Sequence, residues 1–132
     1  MIVAVDTYFV ANEPSLERAH NRYLNRVCKA EKHEGISILF TCAEASEIDS
    51  KEMQEDLISQ FKIERPHENH KDLRLFIYTT IVHATDKVLT SHDEPLTSFF
   101  LLDEERAPAD AFPSSVGFRK LERWTPTRNI ED

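Results

Sequence analysis

Apolar residues along this chain fall into short continuous runs and into longer segments where they recur at helical spacing. Continuous runs bounded by turn residues indicate buried strands, whereas helical spacing indicates helices packed on a core. Strands are predicted over residues 2–10, 36–42, 88–91 and 117–124. Helices are predicted over residues 12–35, over 43–63 with a break near Asp49–Ser50, over 73–84, and over 95–102.

The pattern of segment 73–84 is compatible with either a strand or a helix. Its Ile, Val, Thr, Phe and Tyr content favours a strand, but its apolar residues also fit one helical face, and its length favours the helix. The order β-α-β-α-α-β-α-β then predicts one α/β domain over residues 1–132, with a mostly parallel sheet of about four to five strands and helices on both faces. Residues 125–132 are predicted to be a polar tail, and the role of 103–115 stays open.

Composition narrows the class of protein. Hydrophobic residues make up 40% and charged residues 30% of the chain, which is typical of a globular protein. No apolar run approaches the ~20 residues that span a bilayer, and the N-terminus has no signal-peptide pattern, so a cytoplasmic protein is expected. A net charge of −8 argues against tight binding of nucleic acid, which normally requires clustered Lys and Arg.

Four acids stand at the ends of predicted elements. Asp6 closes an apolar run, Glu47 lies past the second strand, Asp72 opens the segment 73–84, and Asp93 follows the strand 88–91. In a parallel sheet the carboxyl ends of the strands meet at one edge, where ligands bind. Carboxylates gathered there repel one another unless a cation lies between them, and oxygen ligands favour Mg²⁺ or Mn²⁺. The pattern therefore predicts a metal site.

With these motifs the chain resembles the PIN-domain family, the metal-dependent ribonuclease fold of VapC-like toxins. The first acid of the family matches Asp6 in IVAVDTYFV, although Tyr8 stands where Asn is usual. The second matches Glu47 in TCAEASEI, with Glu44 as the alternative. The third and fourth match Asp72 and Asp93 in KDLRLFIYTTIVHATDKVLTSHDEPL, and RKLERWTP is similar to a last strand of some members.

The resemblance implies a function. Asp6, Glu47, Asp72 and Asp93 would be catalytic and would hold one or two Mg²⁺ or Mn²⁺ ions, with Thr7 and Ser91 orienting a carboxylate or a bound water. The protein would hydrolyse RNA as the toxin of a type II toxin–antitoxin pair, form a homodimer, and bind a small antitoxin protein. The alternative is a catalytically degenerate PIN-like domain that acts as a protein- or RNA-binding scaffold. Two basic groups are candidates for a rim that faces RNA: Arg18, Arg22 and Arg26, or Arg119, Lys120 and Arg123.

Overall fold

The strands form one antiparallel sheet. The computed structural model describes residues 1–102 and 112–124. The strands are β1 (Ile2–Ala11), β2 (Ile36–Phe40), β3 (Ser46–Glu47), β4 (Arg74–Ala84) and β5 (Ser114–Leu121). The helices are α1 (Glu13–Glu31), α2 (Lys51–Glu64), α3 (Asp86–Leu89) and α4 (Pro95–Phe100). In the described part of the chain no helix is long and apolar enough to cross a membrane.

The order of strands is β2-β4-β1-β5, and the short β3 pairs with β4 beside β2. Every pair is antiparallel, with Asp6 of β1 opposite Thr79 of β4 and Gly117 of β5. The prediction of a mostly parallel, PIN-like sheet is therefore wrong. Because β1 and β2 both run antiparallel to β4, they run in the same direction with β4 between them. This is a split β-α-β unit.

The error begins at segment 73–84, which is a strand of eleven residues and not a helix. β1 is buried on both faces, and β4 carries apolar side chains on both faces, so neither shows the alternation of apolar and polar residues that marks a half-exposed strand. Apolar residues without alternation also fit one face of a helix. The predicted strand 88–91 is wrong as well, since its first two residues belong to α3.

The start of α1 agrees with the prediction. The Asn12 side chain accepts a hydrogen bond from the Ser15 N–H, and the Ser15 side chain accepts one from the Asn12 N–H, which makes a capping box. Asn12 Nδ2 also donates to the carbonyls of Asn69 and Lys71, at 2.9 and 3.0 Å. The cap of α1 thus also holds the loop that leads into β4.

One face of the sheet packs against α1 through aromatic rings. The rings of Tyr23 in α1 and Tyr78 in β4 stack with centroids 3.8 Å apart and an interplanar angle of 2°. Phe9 of β1 continues the stack at 5.4 Å from Tyr78. Thr7 lies on this same face, and its Oγ1 donates to the carbonyl of Phe100 in α4. We call this face, which carries α1 and α4, the helix face.

The predicted break near Asp49–Ser50 is confirmed, because α2 begins at Lys51. The part of the predicted helix before the break instead contains β3. The last predicted strand corresponds to β5, which begins three residues earlier than expected. The polar tail 125–132 and most of the segment 103–115 (residues 103–111) lie outside the described residues.

Candidate functional site

The four predicted metal ligands lie at separate places in the fold. Asp6 is in the middle of β1 and not at its end, because the strand continues to Ala11. Asp72 precedes β4 in the left-handed region, with φ 58°, and Asp93 follows the far end of the same strand. The eleven residues of β4 extend over roughly 33 Å at about 3.3 Å per residue. Asp6 pairs with Thr79 at the middle of β4, whereas Asp72 precedes the strand. Asp93 lines a cleft beside Thr85, just past the far end of β4, so neither acid can share an ion with Asp6.

Two of these acids form ion pairs with arginines. Asp6 is 8% exposed, and it accepts hydrogen bonds from Thr79 Oγ1 at 2.9 Å and Arg119 Nε at 3.1 Å. The hydrogen bond to Asp6 and the charge of that carboxylate raise the pKa of Arg119. Glu47 pairs instead with Arg74, whose Nη1 lies 3.3 and 3.4 Å from its two carboxylate oxygens. Each acid already has a cationic partner of its own.

The two residues predicted to orient the metal ligands, Thr7 and Ser91, also lie at separate places in the fold. Ser91 does contact a predicted ligand, since its Oγ donates to Asp93 Oδ1, and this hydrogen bond is the main reason that the pKa of Asp93 is lowered. Thr7 is on the helix face, bonded to Phe100, whereas Asp6 is on the opposite face. The alternative acid Glu44 is exposed in the segment before β3.

These side chains do not fit the metal that the resemblance implies. Within residues 1–102 and 112–124, no group of three or more His, Cys, Asp or Glu side chains is placed to hold an ion. A hard divalent cation requires several oxygen ligands at one point. The structure supplies the predicted carboxylates singly, so it brings no shared magnesium or manganese site together.

Asp93 lines a cleft with a volume of about 570 Å³. The cleft lies where the α1–β2 turn meets the segments around α3, and its charged side chains include Lys87 and Glu34. Gly35 makes the close approach possible, because a Cβ there would lie 2.7 Å from Val88 Cγ2. Its charged groups have both signs, so the cleft does not select one class of ligand.

The first of the two candidate basic groups is structural. Arg26 is only 8% exposed, and its guanidinium donates to the carbonyls of Phe99 and Ser98 at the end of α4, at 2.8 and 2.6 Å. Arg22 Nε donates to the Leu102 carbonyl at 3.2 Å. Arg18 pairs with Glu68 and covers one face of the Phe112 ring. These arginines hold α4 and the chain after it, and are not a basic rim.

The second basic group lies on β5, at the edge of the sheet. Among the described residues, no strand pairs with the outer side of β5, and residues 115–121 make no backbone hydrogen bond outside the ladder with β1. Such an edge presents unpaired N–H and C=O groups. Arg119 and Lys120 lie on this strand and Arg123 follows it, with all three exposed.

A groove with a mixed apolar and polar lining runs beside this edge. Phe118 of β5 is 45% exposed, and with Leu96 of α4 and Val88 and Leu89 of α3 it lines a groove of about 180 Å³ on the helix face. Phe118 was not among the predicted site residues. Its neighbours in sequence could have indicated its exposure, since an aromatic residue flanked by Gly and Arg in a final strand is a candidate for exposure.

No protein-family model, curated protein or solved structure matches this chain. The resemblance to PIN domains thus stays a prediction based on short motifs, and the antiparallel sheet conflicts with the fold that it implies. Function has to be argued from the geometry of the chain itself.

Proposed function

We propose that this chain is a protein-interaction domain that binds an extended segment of a partner as an added strand along the outer edge of β5. The observation that carries the proposal is the open outer edge of β5 along residues 115–121, within the described part of the chain, beside an exposed Phe118. Strand addition of this kind gains affinity from main-chain hydrogen bonds and specificity from pockets for alternate side chains.

The backbone of β5 supplies the groups that would form main-chain hydrogen bonds with an added strand. In an antiparallel pair, every second residue directs both its N–H and its C=O away from the neighbouring strand. Since β5 follows the register of β1 without a break from Ser114 to Leu121, its outer side repeats regularly along the strand. An incoming segment can therefore form a ladder of several hydrogen bonds.

The groove supplies a pocket for alternate side chains of the added strand. Phe118 and Val116 lie opposite Val5 and Thr7 of β1, so both side chains are on the helix face. Side chains of an added strand alternate between faces, so every second one would enter the groove beside Phe118. Aromatic residues, Phe included, are enriched at protein interfaces relative to the rest of the surface.

Metal-dependent RNA hydrolysis stays a prediction, and so do the toxin role, the antitoxin, the homodimer and the cytoplasmic location. It is not the function proposed here, because its four carboxylates lie apart and two of them are paired with arginines. The chemistry that β5 offers instead is recognition of a polypeptide, which needs no convergent catalytic groups.

Photo-crosslinking tests the proposal. A photoreactive phenylalanine analogue replaces Phe118, and a matched control carries it at Ile63, an apolar residue of α2 that is 78% exposed. We expect position 118 to crosslink to a defined extended segment of a partner, and that segment, added as a peptide, to slow hydrogen exchange at alternate amides of β5. Crosslinks of equal yield at both positions, or a segment that leaves β5 exchange unchanged, would refute the proposal.

A further inference from the structure

We infer that the segment bound at β5 carries an apolar residue facing Phe118 and two consecutive acidic residues facing Arg119 and Lys120. This inference rests on the proposed function and adds the chemistry of the partner. It follows from the order of side chains along β5 and from the local charge of that strand.

The charge of this edge is opposite to that of the whole chain. Residues 119–123 contain Arg119, Lys120 and Arg123 against one acid, Glu122, whereas the chain has a net charge of −8. Asp6 of the neighbouring strand pairs with Arg119, and the edge stays basic with that carboxylate included. Charges separated by more than ~8 Å are largely screened at physiological ionic strength. A segment lying against β5 therefore experiences mainly the basic side chains beside it.

The register fixes which position of the partner meets which side chain. Phe118 and Lys120 lie on the helix face, and Arg119, opposite Ala4, lies on the other face. Arg119 keeps 61% of its side chain exposed even while its Nε donates to Asp6. The partner residues opposite positions 118, 119 and 120 are consecutive, so the expected pattern is one apolar residue followed or preceded by two acids.

The groove itself requires the apolar position. Beside Phe118 it is lined by the apolar side chains of Leu96, Leu89 and Val88, and the rest of its wall is polar, formed by Thr90, Ser91, Thr97 and the acid Glu94. A carboxylate placed there would lose hydration against apolar side chains and be repelled by Glu94. The residue opposite Val116, two positions along, faces the same side, which extends the pattern to apolar-any-apolar-acid-acid in either chain direction.

A second copy of the chain fits this edge less well. Pairing of two β5 strands around a twofold axis would place the basic residues of both copies on one narrow surface, and would bring together two chains of net charge −8. Charged residues on an edge strand are a known means of preventing such pairing. An acidic segment of a different protein relieves the local repulsion.

Titration of the full chain with blocked peptides tests the inference. The probes are Thr-Glu-Glu-Val-Thr-Val-Thr and its reverse, with control peptides in which Gln replaces Glu or Ser replaces Val. Binding is followed by two-dimensional NMR and by fluorescence anisotropy. We expect a Glu peptide to bind roughly 2- to 30-fold more tightly than its Gln control, the range for two exposed ion pairs. K120Q should reduce this ratio without weakening the Gln peptide.

The outcomes separate the two proposals. If Glu and Gln peptides bind equally and both shift the β5 resonances, the inferred acids are wrong and strand addition stands. If no peptide perturbs β5, while a crosslinked partner segment does, the pattern is wrong but the edge is right. If neither reaches β5, the proposed function fails. A concentration-dependent dimer with protected β5 amides, without any peptide, would overturn the inference in favour of a second copy.

Discussion

Alkaline pH should destabilise this fold through a buried phenol. Tyr23 is fully buried between α1 and the sheet, with its hydroxyl 2.6 Å from Thr80 Oγ1. Burial raises the pKa of Tyr23 from 10.0 to about 12, against a smaller lowering by the hydrogen bond with Thr80. The folded state thus keeps the phenol neutral at a pH where the unfolded chain ionises it.

The sign and size of the effect follow from this difference. Below pH 10 both states hold the proton, so the free energy of unfolding is intact. Between about pH 10 and 12 the unfolded state releases it first, and stability is lost as the pH rises towards the folded pKa. With about 1.36 kcal/mol for each unit of pKa, the loss reaches about 2 kcal/mol by about pH 11.5 and about 3 kcal/mol at higher pH.

The assay is urea unfolding followed by circular dichroism at several pH values from about 8 to 11.5. Tyr23→Phe should lower stability at pH 8 by about 1–2 kcal/mol, because Thr80 loses its partner, but should then lose less as the pH rises. Burial also raises the pKa of Tyr78, so part of the alkaline loss remains. Tyr8→Phe, on the other face of the sheet, is the matched control. A Tyr23→Phe protein with the same alkaline loss as the wild type would refute the reasoning.

Three further predictions concern the turn, the arginine clamp and the predicted metal. Gly35→Ala should lower the free energy of unfolding by about 2–5 kcal/mol in thermal or urea unfolding, because φ is 90° and the new Cβ would overlap Val88; an unchanged stability would show that the turn relaxes. Arg26→Met should cost about 2–4 kcal/mol by losing two charge-assisted hydrogen bonds to α4, whereas exposed Lys62→Met should cost little. Millimolar Mn²⁺ should leave the melting temperatures of wild type and Asp6→Asn unchanged; stabilisation of the wild type alone would restore the ribonuclease prediction.

Local signals in the sequence predicted those elements whose ends are defined by side chains next to them. The start of α1 follows from Asn12 and Ser15, which satisfy backbone groups within one turn, and the break before α2 was visible at Asp49–Ser50. The type of β4 was not visible. Apolar side chains lie on both of its faces, so the alternation of apolar and polar residues that distinguishes a half-exposed strand is absent.

The arginines of α1 show the same limit at the level of single side chains. Their spacing of four residues fits a solvated helical face, and nothing next to them in sequence indicates burial. Arg26 is nevertheless covered because α4, more than 65 positions later, ends with its carbonyls directed at the guanidinium. Contacts over such separations depend on topology, which spacing does not specify.

The candidate site changed because one strand replaced one helix. Acids that follow parallel strands gather at one edge, whereas in an antiparallel sheet successive strands end at opposite edges. With β4 between β1 and β2, Asp72 and Asp93 mark the two ends of one strand and cannot meet. The prediction of β5 did not depend on the structure of segment 73–84, since a strand was predicted there from its own residues. Because β5 is the last strand of the sheet among the described residues, its outer edge is open and Phe118 beside it is exposed. This edge is therefore the feature on which function is best tested.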